Sequence, residues 1–561
     1  MSIALQKAVE HYQRGRPAEA LALLLPVFAQ SGMIDAQTYV LAGQCCVKTG
    51  QEMKAAFYFE RAAALGGPSE DMLRNLAIKL LEGTAEVRAE AAALRAAALC
   101  YGAEPAAQAH YRRWLRASLL LTEAVMENQR LRDRMLHRAD PLSFAVDHPR
   151  DHLLWSGDDG LNARQVLVDS DLAPSEPARV ARRALCLERT GSVRLAYLLG
   201  PLSLAPDLLR SLLPVLQHHD RHRFLLSVIC QTKADAEAVR KQGKAACVNV
   251  ELVSLDGLDD VAAAASLRER AFDVLVDLSG HAAGGRPGIL NAGAAAVQAL
   301  WLGVPGPATG MDVDYRIADP IALPPEAQGA YAEKICLLPE GFMAVEPATV
   351  SPGQTRPVLP EGSVLFAAFA APERITQQTA VLWRSLLQRC AQGFLWLDRA
   401  STFAQINFLR FMDAGGVADR VIFGDPQPRL RAARAAAADI GLDTLAASGG
   451  EETIDLLMAG VPVVTLKGES FAARCGASLL TAAGLPVEPA ESEDGYLTLA
   501  LDLAEDPERR KALQRAAKGH RQPPPLFNPK RLTAHLELAF EAMARQARAG
   551  QAPAPLRIHA L

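Results

Sequence analysis

From residue 192 onward the chain repeats one pattern, an apolar run of five to seven residues followed by a charged or small-residue stretch long enough for a helix. The runs are VRLAYLL (193–199), FLLSVIC (224–230), VNVELV (248–253) and DVLVDLS (273–279). After an interval come SVLFAAF (363–369), GFLWLD (393–398), RVIFG (420–424), DIGLD (439–443) and VPVVTL (461–466). Such runs are too short for complete helices and suit strands buried on both faces. Strand and helix in alternation argue for a parallel sheet. Two successive series predict two doubly wound α/β lobes with a cleft between them. Open parallel sheets take ligands at the carboxyl ends of their strands, so the site is expected to face that cleft.

Residues 1–135 carry almost no strand signal and are rich in helix formers. Tyr12, Gly15, Ala20 and Leu23 align with Val47, Gly50, Ala55 and Tyr58 at an offset of 35 residues, close to the tetratricopeptide period. Gly15 and Gly50 would end the first helix of each pair, and Ala20 and Ala55 would let two helices approach closely. The segments at 81–83 and 96–99 are expected to form a third, degenerate unit, and 117–138 an amphipathic closing helix. Residues 136–191 read as a linker and helical connection, with loop signals at His148, Pro149, Trp155, Gly157 and Gly160. The lobes are expected over 192–345 and 346–545, and 546–561 as a flexible tail.

With 59 Lys and Arg against 63 Asp and Glu, the formal charge of −4 directs the protein toward neither nucleic acid nor an anionic membrane. No apolar stretch reaches the length of a membrane span, and the opening MSIALQKAVEHYQRGR has no export-signal core. A cytoplasmic location is therefore expected. Nine cysteines without a C-x-x-C pair read as reduced, buried thiols, with no metal site. His218, His219 and His222 fall in a polar loop, HHDRHR, and are expected to be solvated.

The chemistry concentrates in DIGLDTLAASGGEETIDLLMAGVPVVTLKGESFAARCGASLL, residues 439–480. A strand ends at Asp443, a small-residue loop runs through Gly449 and Gly450, and a helix opens near Thr453. A glycine loop opening a helix offers free N–H groups and the positive end of the helix dipole, which suits phosphate. It is equally an ordinary helix start carrying favourable carboxylates.

This stretch resembles the catalytic domain of glycosyltransferase family 41, the O-linked N-acetylglucosamine transferases. The motifs are Leu442-Asp443-Thr444, Ile454-Asp455, Ala459-Gly460-Val461-Pro462, Val464-Thr465, Gly468-Glu469 and Ala473-Arg474. LWLGVPG (300–306), Asp314-Tyr315, Tyr331-Ala332-Glu333-Lys334, Leu338-Pro339, Trp396-Leu397 and PLFNPKRLT (525–533) follow in the family's order. The resemblance implies tetratricopeptide-like repeats followed by the GT-B fold, two Rossmann-like lobes with a nucleotide sugar held mainly by the second. It also implies a metal-independent transfer, with no cofactor beyond the co-substrate, to a protein hydroxyl.

Residue by residue, Asp455 matches the family's ribose-binding aspartate, and Arg374 occupies the place of its phosphate-contacting lysine. The family's G-H-T-T loop is here Gly449-Gly450-Glu451-Glu452, followed by Thr453, and a usual active-site histidine is replaced by Ala205. Arg431 aligns with a family histidine near the base, Lys467 and Arg474 flank the nucleotide-side loop, and His281 follows a strand that ends at the cleft. Arg374 and His281 are the candidate catalytic residues; the other candidates are donor-binding. The resemblance implies a protein O-glycosyltransferase, either transferring a nonulosonic acid from a CMP donor to flagellin, as a bacterial subset does, or using UDP-N-acetylglucosamine. The rival reading is an inactive binding or scaffold protein, for which Ala205 is the best support.

Overall fold

The computed structural model describes residues 3–28, 34–66, 69–80, 105–137, 141–165, 176–348, 356–518 and 522–561. The expected third repeat at 81–99 lies outside them. The N-terminal part is helical: Ile3–Gln13 pairs with Pro17–Phe28, and Ala36–Lys48 with Glu52–Ala64. Gly15 and Gly50 turn the chain between partners with φ of 74° and 70°, a backbone region that costs glycine nothing. Ala20 and Ala55 are fully buried at the close approaches. The closing helix runs over Leu121–His137, after another helix at Pro105–Ala117.

Two all-parallel sheets follow. The first holds β1 (Val193–Leu198), β2 (Phe224–Cys230), β3 (Val250–Ser254), β4 (Val274–Asp277), β5 (Val297–Leu300), β6 (Tyr315–Ala318) and β7 (Lys334–Leu337). The second holds β8 (Val364–Ala368), β9 (Gly393–Asp398), β10 (Val421–Gly424), β11 (Ile440–Leu442) and β12 (Val463–Val464), in the order β10-β9-β8-β11-β12. With β13 (Leu556–Arg557) the first sheet runs β13-β7-β6-β5-β4-β1-β2-β3. Chain order therefore reverses beside β1 in one lobe and beside β8 in the other, and such reversals open a crevice. This is the GT-B arrangement that the alternating runs and the resemblance imply.

Three strands of the first sheet have no continuous apolar signature. β5 carries Gln298 and β6 carries Arg316, both buried. The Gln298 amide donates to the carbonyls of Leu290 and Asp312 at 3.0 and 2.6 Å, and Arg316 donates to the carbonyl of Gly306 at 2.6 Å. These side chains satisfy loop backbone from inside the sheet and interrupt the apolar run that would announce a strand. β7 is only four residues long and begins at Lys334.

The chain's end differs from the expected second-lobe helix and flexible tail. Helix Pro529–Arg548 returns to the first lobe, burying Leu536, Phe540 and Met543 against Tyr197 and Val215, and residues 556–557 pair with β7 as an edge strand. The segment expected as a linker is likewise packed. Helix Glu176–Arg183 sends the buried Arg182 onto Asp312 and Asp314 at 2.8 and 2.9 Å. Asp159 accepts from the Tyr331 hydroxyl at 2.8 Å and from the Phe471 amide at 3.2 Å, joining connection, first lobe and second lobe. His219 is buried between the Tyr197 hydroxyl (2.7 Å) and Glu537 (3.0 Å), not solvated as expected, and burial lowers its pKa. No helix among the described residues is long and apolar enough to cross a membrane.

Candidate functional site

The carboxyl ends of β1, β4 and β5 face the loop after β11 across a cavity of about 470 Å³. Its first-lobe wall includes Ala205, Asp207, Ser279 and Val304, and its second-lobe wall Ser448, Gly449, Gly450, Glu451 and Phe471. Helix Glu451–Met458 points its N-terminus at this space with Gly450 as an N-cap that supplies no side-chain hydrogen bond. The first-turn N–H groups and the positive dipole end are thus available to an anion.

The loop's shape is fixed from beneath by buried Asp443 and half-buried Arg374. Asp443 accepts the Gly449 N–H on both oxygens, at 3.0 and 2.8 Å, and the Thr465 hydroxyl at 3.1 Å; burial pushes its pKa up to about 6. Arg374 donates to the carbonyls of Ala447 (2.9 Å) and Gly449 (2.6 Å) and pairs with Glu452. A Cβ on Gly450 would lie 2.7 Å from the Glu452 carboxylate and 2.9 Å from the Arg374 guanidinium, so a side chain there would displace the pair. Gly449 has φ of 67° and sits where a Cβ would meet the Gly476 nitrogen at 2.8 Å.

The carboxylates of this loop are paired across the lobes. Arg210, on helix Leu208–His218 of the first lobe, reaches Glu451 and Asp455, each at 2.7 Å. Arg431 donates to Asp455 at 2.5 Å and, bidentate, to Asp207 at 2.8 Å on both oxygens. Hydrogen bonds from Arg431 hold Asp207 below the usual carboxylate range. Burial pushes Glu451 up to about 7 despite Arg210. The two acids on the cavity wall therefore differ in proton affinity, one ionised through the neutral range and one poised within it.

A sequence model of the Glycosyl transferase family 41 matches residues 205–352 and 345–536. The chain belongs to glycosyltransferase family 41. It is 30% identical over 355 residues to the probable UDP-N-acetylglucosamine–peptide N-acetylglucosaminyltransferase SPINDLY of Oryza sativa subsp. japonica, which covers 62% of this chain and 38% of that protein. The probable transferase SEC of Arabidopsis thaliana is 27% identical over 318 residues, covering 54% of this chain and 32% of its own length. The chain thus spans about two fifths, or less, of the length of these curated relatives. Among solved structures, an O-GlcNAc transferase from Thermobaculum terrenum shares the fold over 97% of both chains, with a TM-score of 0.59 and 23% identity.

The structure distributes this family 41 chain's candidate residues unevenly. Gly449, Gly450 and Glu451 line the cavity, and Asp455, Arg431, Glu452 and Arg374 stand in the ion pairs directly behind it. Thr453 is buried in the helix's first turn. His281 is buried, its ring edge-on to His148 at 5.7 Å; its neighbours Ala282 and Ala283 are on the cavity wall, while His281 is not. Burial pushes its pKa down to about 3, so the ring stays neutral. Lys467 pairs with Glu491 at 3.0 Å, and Arg474 donates to the carbonyls of Ile321 (2.6 Å) and Gly468 (3.1 Å); neither lines the cavity. Sequence reasoning missed Asp207, Arg210 and Arg150, all in or behind the walls.

Proposed function

We propose that the protein is a protein O-glycosyltransferase, moving a sugar from a nucleotide donor to a Ser or Thr hydroxyl of a protein acceptor presented by the N-terminal repeats. The observation that carries this reading is the cavity at the carboxyl ends of both sheets, closed by an uncapped helix N-terminus inside the family-matched region. The acceptor oxygen attacks the anomeric carbon, the carbon–oxygen bond to phosphate breaks, and the bonding pair leaves on the phosphate oxygen. The positive helix end stabilises that developing charge. The hydroxyl proton passes to Glu451, the wall carboxyl whose proton affinity lies near neutrality.

For the donor we favour a CMP-nonulosonate, on the loop's departures from the family pattern, and with it flagellin as the acceptor to be tested. The family's phosphate-contacting lysine is Arg374, whose guanidinium is engaged by Glu452 and two loop carbonyls; the histidine of the family loop is Gly450, and its two threonines are Glu451 and Glu452, acids paired to arginine. That supports one phosphate more readily than two. UDP-N-acetylglucosamine, named for the plant relatives, is the competing donor. Intact mass of a co-expressed flagellin tests the reading, because the added mass gives the sugar class. Thermal-shift measurements with CMP, UDP and UDP-N-acetylglucosamine separate the donors, and no shift with any of them would favour the scaffold reading.

A further inference from the structure

A transferase cavity needs a cation for its anionic donor, and the residues expected to supply one are occupied elsewhere. Arg374 lies beneath Gly450 and donates to the loop it supports. Arg210 and Arg431 are engaged by Glu451, Asp455 and Asp207. Among the described residues, Arg150 is the one basic side chain on the cavity wall, which otherwise presents two carboxylates and small or apolar groups. Its guanidinium forms no ion pair among the described residues, whereas nearby Arg112 and Arg113 each hold an aspartate.

Arg150 comes from the connection between the repeats and the first lobe, and that connection is firmly held. The preceding Asp147 is buried and accepts from Arg112 through two bonds, at 2.9 and 2.8 Å, and from the Trp155 indole at 2.8 Å. Pro149, His152 and Leu153 are buried around it, and Leu153 sits so close to Gly306 that a Cβ there would lie 2.7 Å away. The Arg150 backbone is therefore fixed relative to the first-lobe wall while its side chain is free to engage a ligand.

We infer that Arg150 is the donor-gripping cation of this site, binding the anionic group next to the bond that breaks. That group is either the donor phosphate or a carboxylate on the transferred sugar, both of which accept a guanidinium fork. The inference rests on the proposed transferase reading. It also assigns the connection a part in the site: Arg112 on Pro105–Ala117 holds the segment that carries the cation.

Titration calorimetry of the full chain and its Arg150→Ala and Arg150→Lys variants, with cytidine, CMP, UDP and CMP-N-acetylneuraminate, tests it. Arg150→Ala should weaken the charged ligands by roughly tenfold or more while leaving cytidine unchanged, and Arg150→Lys should recover part of the loss. Weakening of CMP and UDP assigns the contact to phosphate; weakening of CMP-N-acetylneuraminate alone assigns it to the sugar carboxylate. Unchanged binding of all three charged ligands overturns the inference and leaves the transferase reading standing. A wild-type chain that binds none of the four overturns that reading, and this inference with it. Circular dichroism of the variants should match wild type, because Arg150 is exposed and its backbone is held by its neighbours.

Discussion

At the residue scale the cavity's behaviour turns on how each charge is paired. Glu451 has a folded pKa of about 7 against an ordinary 4.5. Between those values the native state binds more protons than the unfolded chain, so this carboxyl makes stability fall as pH rises through that window. Glu451→Gln should remove the slope. The wild-type minus variant difference in thermal stability should change between about pH 4.5 and 7 and be flat above 7; a difference flat throughout would mean that Glu451 is ionised normally. Arg374 carries a different weight. Removing it leaves Glu452 and the Gly449 carbonyl without their partner and the Ala447 carbonyl with the Thr444 hydroxyl alone, so Arg374→Ala should cost about 3 kcal/mol in denaturant unfolding as well as nucleotide binding. Arg374→Met with Glu452→Leu should regain at least half of that stability, and no recovery would place the arginine's role in the loop carbonyls alone. The glycine loop and Asp455 were legible in the sequence because they are contiguous and follow a strand. Their partners were not, since Arg210 lies 241 positions before Glu451 and Asp207 lies 224 before Arg431. Pairing across lobes leaves no local spacing to read.

At the scale of elements, legibility followed the apolar runs. All nine runs became strands, because a strand buried on both faces has to be apolar at successive positions. β5, β6 and β7 escaped for the opposite reason, being short or carrying a buried polar side chain that serves a neighbouring loop. The helix Pro529–Arg548 was visible as a helix but not in its destination, since its apolar face fits either lobe until tertiary contacts are known. Phe540 is fully buried beside Tyr197, their rings 6.2 Å apart and near-perpendicular, although it lies more than 300 positions along the chain. Phe540→Ala should therefore destabilise the first lobe by about 3–5 kcal/mol. Hydrogen exchange read strand by strand should show β1 and β2 losing protection while β8 and β9 keep theirs; uniform loss would mean that the lobes unfold as one unit.

At the scale of the whole molecule, the repeats are joined to the second lobe by more than an apolar face. Lys54 is buried, and its ammonium donates to the carbonyls of Asp419 and Val421, both at 2.7 Å, where the chain enters β10. Arg61 pairs with Asp413, and Trp114 packs on Phe403 with ring centroids 5.7 Å apart. A single apolar cluster runs from Leu5 in the first repeat helix to Leu513 in the second lobe. The repeats are thus seated on the lobe that carries the glycine loop. Deleting residues 1–135 would strip this shared core, so loss of activity in that deletion would mix folding with recognition. Lys54→Met is cleaner: it keeps the aliphatic stem, leaves two carbonyls without a donor and should loosen the junction by about 2 kcal/mol. Limited proteolysis should then cut the repeats faster and acceptor modification should fall, while CMP or UDP binds as to wild type. If nucleotide affinity fell in step with modification, the junction would be shaping the donor site itself, and the repeats would belong to the catalytic body rather than to acceptor delivery.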